Sequence, residues 1–166
     1  MILDVLQIPH PVLKARAHLV EPDTPGLQSF IDSMVDTMYH HPRCVGIAAT
    51  QLGKPWRVIV VDASRIDKPG TRQGRLVVLN PWIVRQEGQR LLREGCLSVP
   101  DYTGNVLRSV AVEVQGKDRA GNAVTIKADG FEAEVFQHEL DHLDGQLFLD
   151  KVASVDTDVF RRKRYL

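Results

Sequence analysis

The chain has 166 residues, enough for one domain with a hydrophobic core, and 43% of them are hydrophobic and 25% charged. Lys plus Arg and Asp plus Glu both number 21, and this zero formal net charge argues against a broad nucleic-acid surface. No apolar stretch is long enough to span a bilayer, no secretory signal is recognisable, and two cysteines are too few for a disulfide scaffold.

The first predicted element is a helix over about residues 25–39. Apolar residues recur there at three- and four-residue steps, and Thr24 is a plausible N-cap. Short apolar runs broken by turn residues then predict strands at 57–62, 76–79, 82–86, 110–116 and 123–127. Asn80-Pro81 indicates a turn, and residues 118–122 indicate a hairpin turn.

A second helix is predicted over about residues 130–144, closed by Gly145. Strands therefore dominate the middle of the chain, with one helix before them and one after. This order favours an α+β fold with antiparallel sheets over a parallel βαβ array.

The second helix contains QHELDH, residues 137–142. On a helix, His138 and His142 are neighbours one turn apart, so both imidazoles can reach one metal ion. Glu139 is close enough to contact a metal-bound water without being a ligand, which is the arrangement of an H-E-x-x-H hydrolase. The alternative is that the two histidines simply line a polar helix face.

A catalytic metal site usually takes three protein ligands, so a third ligand is expected elsewhere in the chain. Cys96, in the segment EGCLSVP at residues 94–100, is the candidate. Its alternative role is that of a small buried hydrophobic residue.

The segment VGIAATQLG, residues 45–53, has features of a ligand-binding loop. Gly46 permits a close approach of the backbone to a ligand, and the amide of Gln51 can donate to an oxyanion. The alternative for this small-residue run is close packing alone. The neighbouring Cys44 is interpreted as a core or wall residue, not as a ligand.

Three segments in order, VGIAATQ, EGCLS and QHELDH, resemble the signature motifs of the peptide deformylase family. The flanking segments HPVLKARA, NPWIV and HLDGQLFLDK are also similar, so the resemblance runs from about residue 5 to 152. It implies antiparallel β-sheets packed around a central helix that carries the H-E-x-x-H motif, with an N-terminal helix. It also implies hydrolysis of the N-formyl group from the N-terminal methionine of new polypeptides, with release of formate.

The resemblance implies a role for each matching residue. The implied metal ligands are Cys96, His138 and His142, and the implied acid–base residue is Glu139. The formyl oxygen would be bound by Gln51 and the Leu97 backbone N–H, and the peptide would pair as an added strand with Val45, Gly46 and Gly95. The family's usual metal is Fe²⁺, with Zn²⁺, Ni²⁺ or Co²⁺ as substitutes.

The expected partners are N-formylmethionyl nascent peptides met near the ribosome, without a nucleic-acid or membrane site. The expected location is the bacterial cytoplasm, or an organelle if a transit peptide has been removed. We expect one catalytic domain over residues 1–166, with a weakly matched basic tail at about 153–166. Within it, the run from Arg161 to Arg164 is expected to be a solvated chain end. Whether the protein is a monomer or a dimer does not follow from the sequence.

The chain departs from the family pattern at two positions. Cys44 stands where the first motif has glycine, and Glu134 stands where many bacterial members have an apolar residue in the methionine pocket. Glu134 is expected to turn to solvent or to pair with a basic residue. Near the ligands, an Arg108–Asp141 ion pair is expected to steady the helix.

Two other functions remain open from the sequence. A zinc peptidase shares the H-E-x-x-H motif, although its third ligand is usually His or Glu. A non-catalytic metal- or peptide-binding module on the same scaffold is the other alternative.

Overall fold

The computed structural model describes residues 1–163. Its helices are α1 (Leu27–His40), α2 (Gly130–Leu143) and the short α3 (Val155–Asp158). Its strands are β1 (Gly46–Ala48), β2 (Val58–Val61), β3 (Leu76–Glu87), β4 (Arg90–Cys96), β5 (Val99–Arg108), β6 (Ala111–Lys117), β7 (Ala123–Asp129) and β8 (Val159–Arg161). No helix within the described residues is long and apolar enough to cross a membrane.

The strands form two antiparallel sheets. One has five strands in the order β1-β2-β3-β6-β7, and the other has three in the order β4-β5-β8. Every paired strand is antiparallel to its neighbour. The predicted α+β fold with antiparallel sheets is confirmed.

The two long helices pack on opposite faces of the five-stranded sheet. Alternate residues of a strand face opposite sides, so in β2 Ile59 and Val61 pack with α2 while Val58 and Val60 pack with α1. This placement explains why the VIVV run is fully apolar and fully buried. It also fixes α2 between the sheet on one side and the β4–β5 hairpin on the other.

The turn predicted at Asn80-Pro81 is wrong, because β3 continues through it. The register between β3 and β6 shifts there, as in a β-bulge. Asn80 has a left-handed φ of 52°, and its side-chain amide bonds both the N–H and the carbonyl of Val20 at 2.9 and 2.8 Å. Asn and Pro, which predict a turn in the sequence, here occupy a β-bulge within a continuous strand.

The C-terminal segment is more ordered than predicted. β8 pairs with β5, and Arg162 lies half-buried beside β4. The prediction of a solvated chain end is therefore wrong for Arg162, although Arg161 and Lys163 are exposed. Arg164 lies outside the described residues.

Candidate metal centre

Helix α2 places its two histidines toward the β4–β5 hairpin. Its opposite side, which includes Phe136, Leu140 and Leu143, packs in the core against the five-stranded sheet. The helix ends as predicted, because Gly145 adopts a left-handed φ of 74° and donates its N–H to the His142 carbonyl at 3.1 Å.

Three potential metal ligands meet between α2 and the end of β4. One ligand atom from each of Cys96, His138 and His142 lies within 4.8 Å of the others. The Cys96 Sγ is 3.3 Å from Nε2 of His142. In the sequence, Cys96 is 42 positions from His138 and 46 positions from His142. The fold brings all three into one cluster, as the motifs predict.

A buried chain of charges orients His138. Its Nδ1 lies 2.9 Å from Oε1 of Glu94, which leaves Nε2 for the cluster. Arg108 donates to both oxygens of Glu94, at 2.7 and 2.8 Å, and to Asp141 Oδ2 at 2.6 Å. The expected Arg108–Asp141 pair is therefore present, and Glu94 joins it to the histidine. Burial raises the pKa of Glu94, but the bonds from Arg108 and His138 outweigh burial and lower it to about 2.

The same cluster favours a thiolate at Cys96. Burial opposes ionisation of the thiol, but the charge of His142 and the hydrogen bonds from His138 and His142 hold its pKa well below the ordinary value. Burial likewise opposes the charged form of His138, while hydrogen bonds to Cys96 and Glu94 raise its pKa well above the ordinary value. A thiolate is the form in which cysteine binds metals.

Glu139 lines the same site, beside Gly46 of β1. It is buried, and its Oε1 has no hydrogen-bond partner within residues 1–163. Its pKa is raised to about 6, first by burial, with the charges of the two histidines acting in the opposite sense. A carboxylate with a pKa near neutrality suits a group that must accept and return a proton.

Gly46 makes room for Glu139. A Cβ at position 46 would lie 2.7 Å from Oε2 of Glu139 and 2.9 Å from Cγ1 of Val135. Both distances are shorter than side-chain contacts allow, so the small residue predicted to permit close approach does so toward a carboxylate of α2.

Gln51 presents its amide nitrogen to the cluster. Its Oε1 accepts from the Ala48 N–H at 2.9 Å, and this bond fixes the orientation of the amide. Its Nε2 then lies 3.4 Å from Cys96 Sγ and 3.2 Å from Ser98 Oγ. Leu97, in the two-residue turn between β4 and β5, lines the cavity that opens onto this cluster.

A cavity of about 510 Å³ opens onto these residues. β1 is one edge strand of the five-stranded sheet and β4 is one edge strand of the three-stranded sheet, and they border the cavity through Gly46 and Gly95. Val45 also lines it, but its carbonyl already accepts from the Asp62 N–H at 2.8 Å. An extended peptide can therefore lie between two strand edges, which is the geometry of strand addition.

Both departures from the family pattern lie in the cavity wall. Cys44 is half-buried and packs against the hydrophobic residues around α1, as expected of a wall residue. Its pKa is raised to about 12, first by burial and then by the charge of Glu139.

Glu134 lines the cavity and makes no ion pair within 4 Å among residues 1–163. Burial and the charge of Glu94 raise its pKa to about 7, against the opposing charge of Lys68.

Sequence comparison finds one family over nearly the whole chain. The profile of the polypeptide deformylase family matches residues 2–158. A peptide deformylase of Halothermothrix orenii is 44% identical over 158 residues, which cover 95% of this chain and 98% of that protein. Peptide deformylase 3 of Shewanella oneidensis is 41% identical over 162 residues, covering 98% of this chain and 96% of that protein.

Solved structures give the same result. A peptide deformylase from Legionella pneumophila superposes with a TM-score of 0.84 at 38% identity, covering 93% of this chain and 88% of that one. A Met-Ala-Ser-bound class I type b peptide deformylase from Acinetobacter baumannii superposes with a TM-score of 0.83 at 34% identity, covering 92% and 99%.

Proposed function

The chain belongs to the polypeptide deformylase family, metal-dependent hydrolases that remove the N-formyl group from nascent peptides, and we propose that Cys96, His138 and His142 hold its metal ion. The observation that carries this assignment is the convergence of the three side chains within 4.8 Å beside a buried carboxylate. Family membership sets aside the zinc peptidase and the non-catalytic module.

The donor set fits a divalent transition metal. Metal–sulfur and metal–nitrogen distances of about 2.3 and 2.1 Å put tetrahedral ligand atoms about 3.5 Å apart. The 3.3 Å separation of Cys96 Sγ and His142 Nε2 agrees with that spacing. A thiolate with two imidazoles suits Zn²⁺, Fe²⁺, Co²⁺ or Ni²⁺ and disfavours Mg²⁺ and Ca²⁺.

When bound, the metal supplies an activated water at neutral pH and polarises the formyl carbonyl. Glu139 accepts the proton of the attacking water and then returns it to the leaving amine, so that formate departs. Gln51 Nε2 and the Leu97 N–H stabilise the tetrahedral oxyanion of the substrate. Losing one such donor typically costs about 2.7–4 kcal/mol of transition-state stabilisation.

The peptide binds between the strand edges that border the cavity. Gly46 and Gly95 pair with an extended formyl peptide beside Val45, whose carbonyl is already bonded within the fold, and the methionine side chain enters the cavity beside Glu134. Support comes from the positions of β1 and β4 at sheet edges and from the Met-Ala-Ser-bound relative. The nascent chain is met near the ribosome, in the bacterial cytoplasm or in an organelle.

We take Fe²⁺ as the working metal, with Zn²⁺, Ni²⁺ and Co²⁺ as substitutes. With Fe²⁺ bound, the site would be prone to oxidation by dioxygen, which would take electrons from the Cys96 thiolate and convert it to a sulfenic acid. The iron form should therefore lose activity in air while a nickel form keeps it. Equal stability of the two forms in air would contradict the choice of iron.

Two variants separate the metal-binding and the proton-transfer roles. Cys96→Ala should lose the metal, whereas Glu139→Ala should keep it and lose nearly all formate release from formyl-Met-Ala-Ser. Metal content and formate are measured on the same samples. A Glu139→Ala protein with near wild-type turnover, or a Cys96→Ala protein with full metal content, would remove that residue from its proposed role.

A further inference from the structure

The C-terminal segment brings an arginine into the substrate cavity. Beyond β8, the Arg162 N–H donates to the Asp101 carbonyl at 2.8 Å. β5 lies between β8 and β4, so the Arg162 side chain crosses β5 to reach Gly95. A Cβ at Gly95 would overlap the Arg162 guanidinium, so this group lies directly against β4. The cation thus stands one residue from the proposed ligand Cys96.

Arg93 adds a second cation on the same face of β4. Residues two apart on a strand share a face, so Arg93 and Gly95 point to the same side, away from the buried Glu94. The Arg93 Cζ lies 3.6 Å from the Phe160 ring centroid, and its Nε donates to Asn105 Oδ1 at 3.0 Å. Both contacts hold the guanidinium in place beside the cavity that it lines.

Neither guanidinium is neutralised by the described part of the chain. Within residues 1–163, no carboxylate oxygen lies within 4 Å of the side-chain nitrogens of Arg93 or Arg162. Glu94 is bonded to Arg108 and His138 on the other face. Asp158, one of two acidic residues on the adjoining α3, accepts from the Ser154 N–H at 3.1 Å and from Asn105 Nδ2 at 3.4 Å. Two fixed positive charges therefore face the cavity.

The position along β4 indicates which part of a substrate meets them. A strand rises about 3.3 Å per residue, so Arg93 is about 10 Å from Cys96 along β4. A formyl peptide that pairs with β4 and extends away from the metal ligands covers this distance with its third residue. Arginine binds carboxylates strongly because its planar fork matches their two oxygens.

We propose that Arg93, which lies at the position of the third residue of the formyl peptide (counting methionine as the first), and Arg162 beside it form a carboxylate-binding subsite for that residue. The inference rests on the proposed function and extends it to sequence preference. The carboxylate is either an acidic side chain at that position or the free C-terminus of a tripeptide.

The test compares kcat/KM for matched pairs of formyl peptides. Formyl-Met-Ala-Asp-amide against formyl-Met-Ala-Asn-amide probes the side chain, and formyl-Met-Ala-Ser against its amide probes the C-terminal carboxylate. For a solvent-accessible pair we expect the charged peptide to be preferred about three- to fivefold at low ionic strength, less at high salt. A preference in the first pair assigns the subsite to the side chain, and a preference in the second pair alone assigns it to the C-terminus.

Arg93→Gln should reduce the preference to about one, and Arg162→Gln should reduce it in part. Lys163→Gln is the matched control, because it removes the same charge from the neighbouring, exposed residue and should keep the wild-type preference. Wild-type ratios of about one in both pairs, or an equal drop in the Lys163→Gln protein, would overturn the subsite.

The four peptides distinguish a failure of the carboxylate subsite from a failure of the proposed deformylase function. Normal release of formate from the neutral amides without any preference refutes the subsite alone. Release from none of the four peptides refutes the proposed function, and calorimetric binding of Met-Ala-Asp-amide against Met-Ala-Asn-amide then tests the subsite directly. Tighter binding of the acidic peptide that is lost in Arg93→Gln supports the subsite, and equal binding overturns it.

Discussion

Arg108→Gln tests the buried charge chain that orients His138. The arginine side chain is 5% exposed and that of Glu94 is 3% exposed, and three N–O contacts of 2.6–2.8 Å join Arg108 to Glu94 and Asp141. Removing one partner of a buried pair leaves the other charge uncompensated, which costs about 3–5 kcal/mol of unfolding free energy. For a chain of this size, that loss corresponds to a decrease in Tm of about 6–20 °C.

The loss is measured by denaturant unfolding of the chelated protein, so that bound metal does not contribute to the stability. Arg119→Gln is the control, because the Arg119–Asp32 pair is solvent-accessible, at 40% and 65% exposure. Exposed pairs of this kind contribute about 1 kcal/mol or less. Both substitutions remove one arginine charge. The difference between the two losses of unfolding free energy therefore measures the effect of burial.

Metal affinity gives a second readout of Arg108→Gln. Without Arg108, Glu94 no longer holds Nδ1 of His138 in a fixed orientation, and such supporting contacts are worth about 10- to 100-fold in metal affinity. A variant that unfolds within 1 kcal/mol of wild type, or that binds metal equally well, would refute the assigned role of the charge chain.

Three further outcomes follow from individual contacts. Gly46→Ala should displace Glu139 and lower kcat/KM by about 100-fold while metal content is kept, because even a misplacement of about 1 Å can cost this much; unchanged turnover would contradict the close packing. Asp62 is buried, which raises its pKa, but bonds from Ser64 and Tyr39 outweigh burial and lower the pKa below 3.8. Its stabilising contribution is therefore present above pH 3.8 and is lost as the pH falls further, so the stability difference between wild type and Asp62→Asn should shrink in acid unfolding experiments. Chelation should abolish formate release, and stoichiometric Ni²⁺ or Co²⁺ should restore it; activity that persists in metal-free protein would contradict a metal mechanism.

The sequence predicts those parts of the fold whose side-chain pattern is local. Both long helices follow from apolar spacing, and the end of α2 follows from Gly145. The sequence does not predict β4 and β5, because the usual alternation of apolar and polar residues is lost: Leu91 and Leu107 are exposed, whereas Glu94 and Arg108 are buried. Their hydrogen bonds to each other and the cover from Phe148 and Leu147 are long-range features that no local pattern records.

The same distinction holds at the site. The motif residues could be named from sequence because each motif has a chemical meaning and a fixed spacing. The sequence shows Glu94 only as a member of EGCLS, since its bond to His138 depends on how β4 meets α2. Arg162 was missed because a run of basic residues near a chain end is usually solvated, and only the pairing of β8 with β5 turns it into the cavity.

The most direct test of the central claim is formate release from formyl-Met-Ala-Ser by anaerobically purified protein, with metal content read on the same sample. The account predicts rapid release with about one metal ion per chain, abolished by chelation. A fully metallated protein that releases no formate would contradict it.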